Sequence, residues 1–259
     1  MENKGTEART GMNVEDYRLV YDLHTHTTYS HGKGSVEDNV REAMAKGLSY
    51  IAISDHGPGH LFYGINRNDV PNLKRDIEKM NVKFPHLQVK MSVEANTVLG
   101  GSGLDVRPEE FGEYDFVIAG FHFGLFGCSS VHNWLWSHGI RWGEEKLREK
   151  NTRMIIHALE ANDIAILTHP GDKGPFDILA IAEACARTNT LMEINCRHGH
   201  LTEEEIRIVA GVPGVQFILS SDAHIPAAVG ECREGLERAF RAGLDPARIV
   251  NIVRESGQS

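Results

Sequence analysis

The stretch Tyr21–Ser35, YDLHTHTTYSHGKGS, carries His24, His26 and His31 directly behind an apolar-rich run, Tyr17–Leu23, that reads as a strand. Side chains two apart on a strand share a face, so His24 and His26 point the same way from its C-terminal end. Two neighbouring imidazoles offer neutral nitrogen to a divalent metal ion. An isolated pair of this kind reads at least as readily as two surface histidines. The decision rests on what later strands carry at the same end.

Outward from this stretch, short apolar runs alternate with segments of helical period. Ser35 is an N-cap residue for a helix with Val36, Val40, Ala43 and Met44 at helical spacing and Gly47 as its stop. Leu48–Ser54 reads as a buried strand that runs into Asp55, His56 and Gly57. A helix over Asp69–Val82 precedes a strand over Leu87–Val93, which delivers Glu94 and Asn96. An acidic turn at Pro108–Glu113 leads to a strand over Tyr114–Gly120, which delivers His122. A long helix, Gly143–Asn162, comes before the strand Ile164–Thr168 and His169. A helix over Phe176–Arg187 and a strand over Thr190–Ile194 bring in Asn195 and Arg197. Thr202 and Glu205 have capping-box spacing for a helix to about Gly211. The strand Val215–Ser220 then delivers Asp222 and His224, and helices at about Ala227–Ala242 and Pro246–Glu255 close the pattern.

Strands separated by helical crossovers imply a parallel sheet in one α/β domain. An open doubly wound sheet lacks its phosphate fingerprint, since GGSG at Gly100–Gly103 does not fit GxGxxG after the first strand. In a closed parallel barrel every strand ends on one rim, and six of the seven expected strands carry a potential ligand there. The pattern therefore predicts an α/β fold, a seven-stranded (β/α)7 TIM-like barrel, as a single domain over residues 17–259 after a disordered polar lead-in over 1–16.

At 259 residues and 41% hydrophobic content the chain can bury one sizeable core. It shows no signal-peptide pattern and no apolar run of membrane-spanning length, which predicts a cytoplasmic protein without a membrane partner. Cys128, Cys185, Cys196 and Cys232 form no CxxC pair, which argues against a thiolate metal site. A net charge of −9 disfavours a grip on long nucleic acid, and bound cations would offset part of it. The segment Phe123–Trp142 holds all three tryptophans, Trp134, Trp136 and Trp142, and is long for a strand–helix connection. It reads as a lid over a pocket, with a cover for the barrel's side or a subunit contact as the alternatives; a homo-oligomer is compatible with it.

The candidate metal ligands are His24, His26, His31, His56, Glu94, His122, His169, Asp222 and His224. Burying that many imidazoles and carboxylates on one rim would be costly without cations. Nitrogen and oxygen donors without thiolates suit zinc, manganese or iron.

HTH at His24–His26, SDHG at Ser54–Gly57, VEAN at Val93–Asn96, AGFH at Ala119–His122, THPG at Thr168–Gly171 and SDAH at Ser221–His224 together resemble the successive motifs of the PHP (polymerase and histidinol phosphatase) superfamily. The likeness runs over roughly residues 18–250 and is greatest to stand-alone bacterial phosphatases with three metals. It implies a distorted seven-stranded barrel that hydrolyses phosphate esters. It also implies one metal at His24, His26, Glu94 and Asp222, a second at Glu94, His122 and His169, and a third at His31, His56 and His224. The step from the HxH pair to His31 is a residue shorter than in some relatives.

A cluster of divalent ions suits hydrolysis by a metal-bridging hydroxide attacking phosphorus in line, while the ions neutralise the phosphoryl oxygens and the departing alkoxide. Glu94 as the bridge and Asp222 as an orienter of water are the expected catalytic groups. Arg197, and less strongly Lys173, are expected to bind the substrate phosphate. His198 and His200 are weaker candidates for the same role, with solvated surface the first reading, and Asp55 reads as an orienter of a neighbouring histidine or a helix cap. The expected function is a metal-dependent phosphoesterase acting on a small phosphate monoester. The alternatives are a 3′–5′ exonuclease or phosphodiesterase on short nucleic acid, and a catalytically silent metal-binding regulatory protein.

Overall fold

A computed structural model describes residues 12–123 and 130–255. After β1 (Tyr17–Leu19), seven short strands pair in parallel and in chain order: β2 (Tyr21–Asp22), β3 (Tyr50–Ile53), β4 (Gln88–Asn96), β5 (Phe116–Gly120), β6 (Ile166–Leu167), β7 (Leu191–Asn195) and β8 (Phe217–Ser220). The crossovers carry α1 (Val36–Ala45), α2 (Val70–Lys83), α3 (Ser130–Ser137), α4 (Glu144–Ala161), α5 (Ile178–Thr188), α6 (Glu203–Val209) and α7 (Arg233–Arg241).

Local chemistry sets the helix starts. Ser35 and Asp38 form a reciprocal capping box on α1, and Thr202 and Glu205 form another on α6. Asp177 caps α5 by accepting from the Ala180 N–H. Outside the sheet, two buried apolar layers join it to the helices, one built around residues such as Met154, Ile181 and Phe217, the other around Ile51, Leu73 and Met91. Inside, Leu23, Ala52, Ile118, Ile166 and Ile218 form a separate dry floor. The site stands on that floor, because the inward series continues upward as Ile118–Gly120–His122 and Ile218–Ser220–Asp222.

The barrel is nearly closed rather than closed, since β2 and β8 lie at the two ends of the strand order. At the rim they are joined by a Thr25–Ala223 bridge, with the His26 N–H donating to the Ala223 carbonyl at 2.8 Å. Lower down, buried Asn251 fills the seam. Its amide donates to the Tyr21 and Leu219 carbonyls at 2.9 and 2.7 Å and accepts from the Leu219 N–H at 3.0 Å.

This seam changes two expected elements. The strand expected over Tyr17–Leu23 is two strands: β1 leaves the barrel to pair antiparallel with β9 (Ile252–Arg254), and Val20 between them donates to the Asn251 carbonyl. The helix expected over Pro246–Glu255 is a single 3-10 turn, Pro246–Arg248, capped by Asp245. Beyond it the chain runs extended, because Asn251 and β9 are taken up in closing the barrel. Within the lead-in expected over 1–16, Val14–Asp16 form a 3-10 turn, and the Asp16 carbonyl accepts from the Glu255 N–H at 2.7 Å. Residues 1–11, and Cys128, lie outside the described residues. Cys185, Cys196 and Cys232 are free thiols. Among the described residues no helix is long and apolar enough to cross a membrane.

Candidate metal centre

The structure gathers all nine expected ligands on the rim. Glu94, at the end of β4, is fully buried and stands at the middle. Its Oε2 lies 3.3 Å from His24 Nε2, 3.6 Å from His26 Nε2 and 2.9 Å from His56 Nδ1. Its Oε1 lies 2.9 Å from His169 Nε2 and 3.5 Å from His122 Nε2. Asp222 Oδ1 approaches His26 Nε2 at 3.2 Å and His24 Nε2 at 3.7 Å. His224 and the exposed His31 form the outer edge, with His31 ring centroids 4.1 Å from His224 and 4.7 Å from His56.

These distances give three groups of converging donor atoms: His24, His26 and Asp222; His56, Glu94 and His122; and His26, His56 and His224. In the outer group it is His26 whose donor lies close to those of His56 and His224, while His31 contributes a packed ring.

Backbone geometry aims two of these side chains. His169 and Asp222 both sit just past short strands with positive φ, 30° and 50°, a region non-glycine residues seldom occupy. Gly120 makes room beside them. A Cβ there would meet Thr168 Oγ1 at 2.3 Å and Glu94 Oε1 at 2.9 Å, so a side chain at this point of the AGFH motif would displace the central carboxylate.

The residues fit a cation on grounds of hydrogen bonding. Both ring nitrogens of His56 and Glu94 Oε2 are buried without a hydrogen-bond partner, although His56 Nδ1 and Glu94 Oε2 are only 2.9 Å apart. Buried polar atoms that converge yet do not pair are what a metal site presents to its ion. Charge points the same way. Burial alone would raise the Glu94 and Asp222 carboxyls, but the surrounding histidines, His24 first, hold both well below the usual range. Burial, reinforced by His56, holds His26 well below its usual value and so keeps it neutral.

Several participants were not legible as such. Glu193 lies inside β7, fully buried, and takes His24 Nδ1 on Oε1 at 2.7 Å. Its other oxygen accepts from the His169 N–H at 2.6 Å and from Asn195 Nδ2 at 2.9 Å. One carboxylate thus orients ligands from two strands. The signal for it was a charged residue in an otherwise apolar strand run, LMEIN. His198, expected on the solvated surface, has Nε2 3.2 Å from Asp222 Oδ2. Asp55 neither caps a helix nor orients a histidine ring: it accepts from the Thr27 N–H, the Thr27 hydroxyl and the Ser30 hydroxyl, and so pins the loop that carries His31.

A cleft of about 160 Å³ opens onto the cluster, lined by His31, His56, Tyr63, His122, His169, Lys173, Arg197, His198, Asp222 and His224. A larger groove of about 570 Å³ lies outside the barrel, between Val98–Gly100 and the flank of α4, and contains none of the cluster. Arg197 Nη1 stands 3.4 Å from His224 Nε2 and 3.8 Å from Asp222 Oδ2, half in solvent, while Lys173 pairs with Asp172. From the tryptophan-rich segment, residues 124–129 lie outside the described residues. Its helix α3 is fixed to α4 by Asn133 and Asn151, and among the described residues none of 130–142 lines the cleft.

A family model described as "PHP domain" matches residues 22–197. Two curated relatives carry the name "Probable phosphatase". The one from Tolumonas auensis is 32% identical, with 90% of each chain covered. The one from Shewanella sediminis is 27% identical, with 92% of each covered. Among solved structures, histidinol phosphate phosphatase from Lactococcus lactis, crystallised with zinc, L-histidinol and phosphate, superposes with a TM-score of 0.62 at 16% identity. That match covers 88% of this chain and 95% of the other.

Proposed function

From the premise that this chain belongs to the PHP domain family and is a phosphate ester hydrolase, we propose that it hydrolyses a small phosphate monoester at a centre of two to three divalent ions. The observation that carries this reading is the position of Glu94. One of its oxygens faces His24, His26 and His56 and the other faces His122 and His169, so a single carboxylate addresses two sets of imidazoles.

His24, His26, Glu94 and Asp222 would hold one ion, Glu94, His122 and His169 a second, and His31, His56 and His224 a third, with His26 close enough to compete for the last. Divalent ions bound there supply Lewis acidity, making water a nucleophile near neutral pH and neutralising the phosphoryl oxygens. The protein's own groups do the positioning. Glu193 fixes His24, and Asp222 accepts hydrogen bonds that can orient water. Arg197 and Lys173 place positive charge at the cleft mouth, where a phosphate dianion enters. The cleft is small enough to favour a monoester group over a polymer strand, and the net charge of −9 also weighs against a nucleic-acid substrate.

The test is elemental analysis of the purified protein paired with p-nitrophenyl phosphate turnover before and after chelation and metal refill. Two to three ions per chain with chelator-sensitive hydrolysis is the expected result. Bound metal with no turnover on any phosphate ester would favour a regulatory metal-binding protein instead.

A further inference from the structure

The loop that follows β3 returns to its own start. The Gly57 N–H donates to the Glu94 carbonyl at 2.8 Å, and the Ile65 N–H donates back to the His56 carbonyl at 2.9 Å. Gly64 allows this closure, since a Cβ there would meet the Gly57 carbonyl oxygen at 2.3 Å. The Gly59 N–H is held by Asp105 at 2.8 Å. The loop is therefore tied at both ends to a candidate ligand strand, and what it presents to the cleft is Tyr63.

The Tyr63 ring lies flat on buried His60, with centroids 3.6 Å apart and planes 22° apart. Its other neighbours are His31 at 4.3 Å and His56 at 5.3 Å. These contacts fix the ring but leave the hydroxyl uncommitted: it has no hydrogen bond to any described residue. Two other tyrosines spend their hydroxyls within the protein. Tyr29 donates to Asp76 at 2.7 Å and Tyr21 to the Val250 carbonyl at 3.2 Å. In the cleft, the remaining polar groups are imidazoles, one carboxylate and the two cations Lys173 and Arg197. A neutral phenol among them is a directional O–H donor that needs an acceptor, and a phosphate group brings several.

We propose that Tyr63 is a substrate-contact residue whose phenol donates a hydrogen bond to an oxygen of the phosphate group in the cleft, with His60 as the platform that sets its direction. The inference rests on the phosphoesterase reading above and adds to it a recognition group from a loop that supplies no donor of its own beyond His56. The hydroxyl serves phosphate binding; the ring serves the cleft wall.

The test uses the metal-loaded protein and its Tyr63→Phe variant, which keeps the ring and its stacking. Inorganic phosphate is the probe, its affinity measured by calorimetry and by competitive inhibition of p-nitrophenyl phosphate turnover. Loss of one hydrogen bond to a charged acceptor predicts roughly tenfold weaker phosphate binding and a comparable rise in KM, with metal content unchanged. Tyr63→Phe binding phosphate as tightly as the wild type would overturn the proposal, and so would a loss of metal in the variant, which would make Tyr63 a support for His31. A wild type that neither binds phosphate nor turns over an ester would bring down the phosphoesterase reading itself; an active wild type with an unaltered variant would remove Tyr63 alone.

Discussion

Glu193 shows how much one buried carboxylate can organise. Its oxygens take His24 Nδ1, the His169 N–H and the Asn195 amide, so it fixes which ring nitrogen His24 turns toward the cluster. Glu193→Gln keeps the shape but removes the charge that favours this orientation. The expected outcome is about 10–100-fold weaker metal affinity with the fold intact, measured by competition with a chromogenic chelator; unchanged affinity would deny the role. Eight of the nine rim residues were legible in the sequence because each falls at or just beyond the C-terminal end of a strand, where barrel geometry collects side chains, and His31 because it shares the stretch of His24 and His26. Glu193 was not, because nothing local announces its partner His24. The proximity of His198 to Asp222 was not legible either: it is made by two loops meeting, and sequence spacing carries no trace of it.

At the level of elements, helix starts were readable where a cap is local, as at Ser35 and Thr202. The barrel's seam was not. Asn251 bonds Tyr21 across 230 positions, and the β1–β9 pair spans a similar separation, whereas periodicity reports only on neighbours. Asn251 makes three hydrogen bonds in a buried position. Asn251→Ala leaves the Tyr21 and Leu219 groups unsatisfied and is expected to lower unfolding stability by about 2–4 kcal/mol in urea titration. An effect on the scale of an ordinary surface substitution would mean the seam is held elsewhere, for example by Asp22 through Ser221 and Gly230.

On the scale of the whole molecule, the rim concentrates charge that the fold must hold together. Burial alone would lower His24, but Glu94, Glu193 and Asp222 raise it well above its usual value. To become a ligand His24 must give up that proton, so metal affinity rises with pH through and above the ordinary histidine range. Because a ligand that binds the folded state stabilises it by mass action, the rise in Tm on adding metal should be larger at about pH 8 than at about pH 6. Calorimetry at both values checks the sign, and an equal rise would place the bound ion away from His24. The seam also sets a timetable. A chain leaving the ribosome can pair β2 through β8 in order, yet Asn251 is made after β8 and after every candidate ligand, and until it emerges the lower seam between β2 and β8 lacks the residue that fills it. Nascent chains short of that point would carry every candidate ligand while β2 and β8 meet only at the rim, leaving their lower edges for a chaperone to shield.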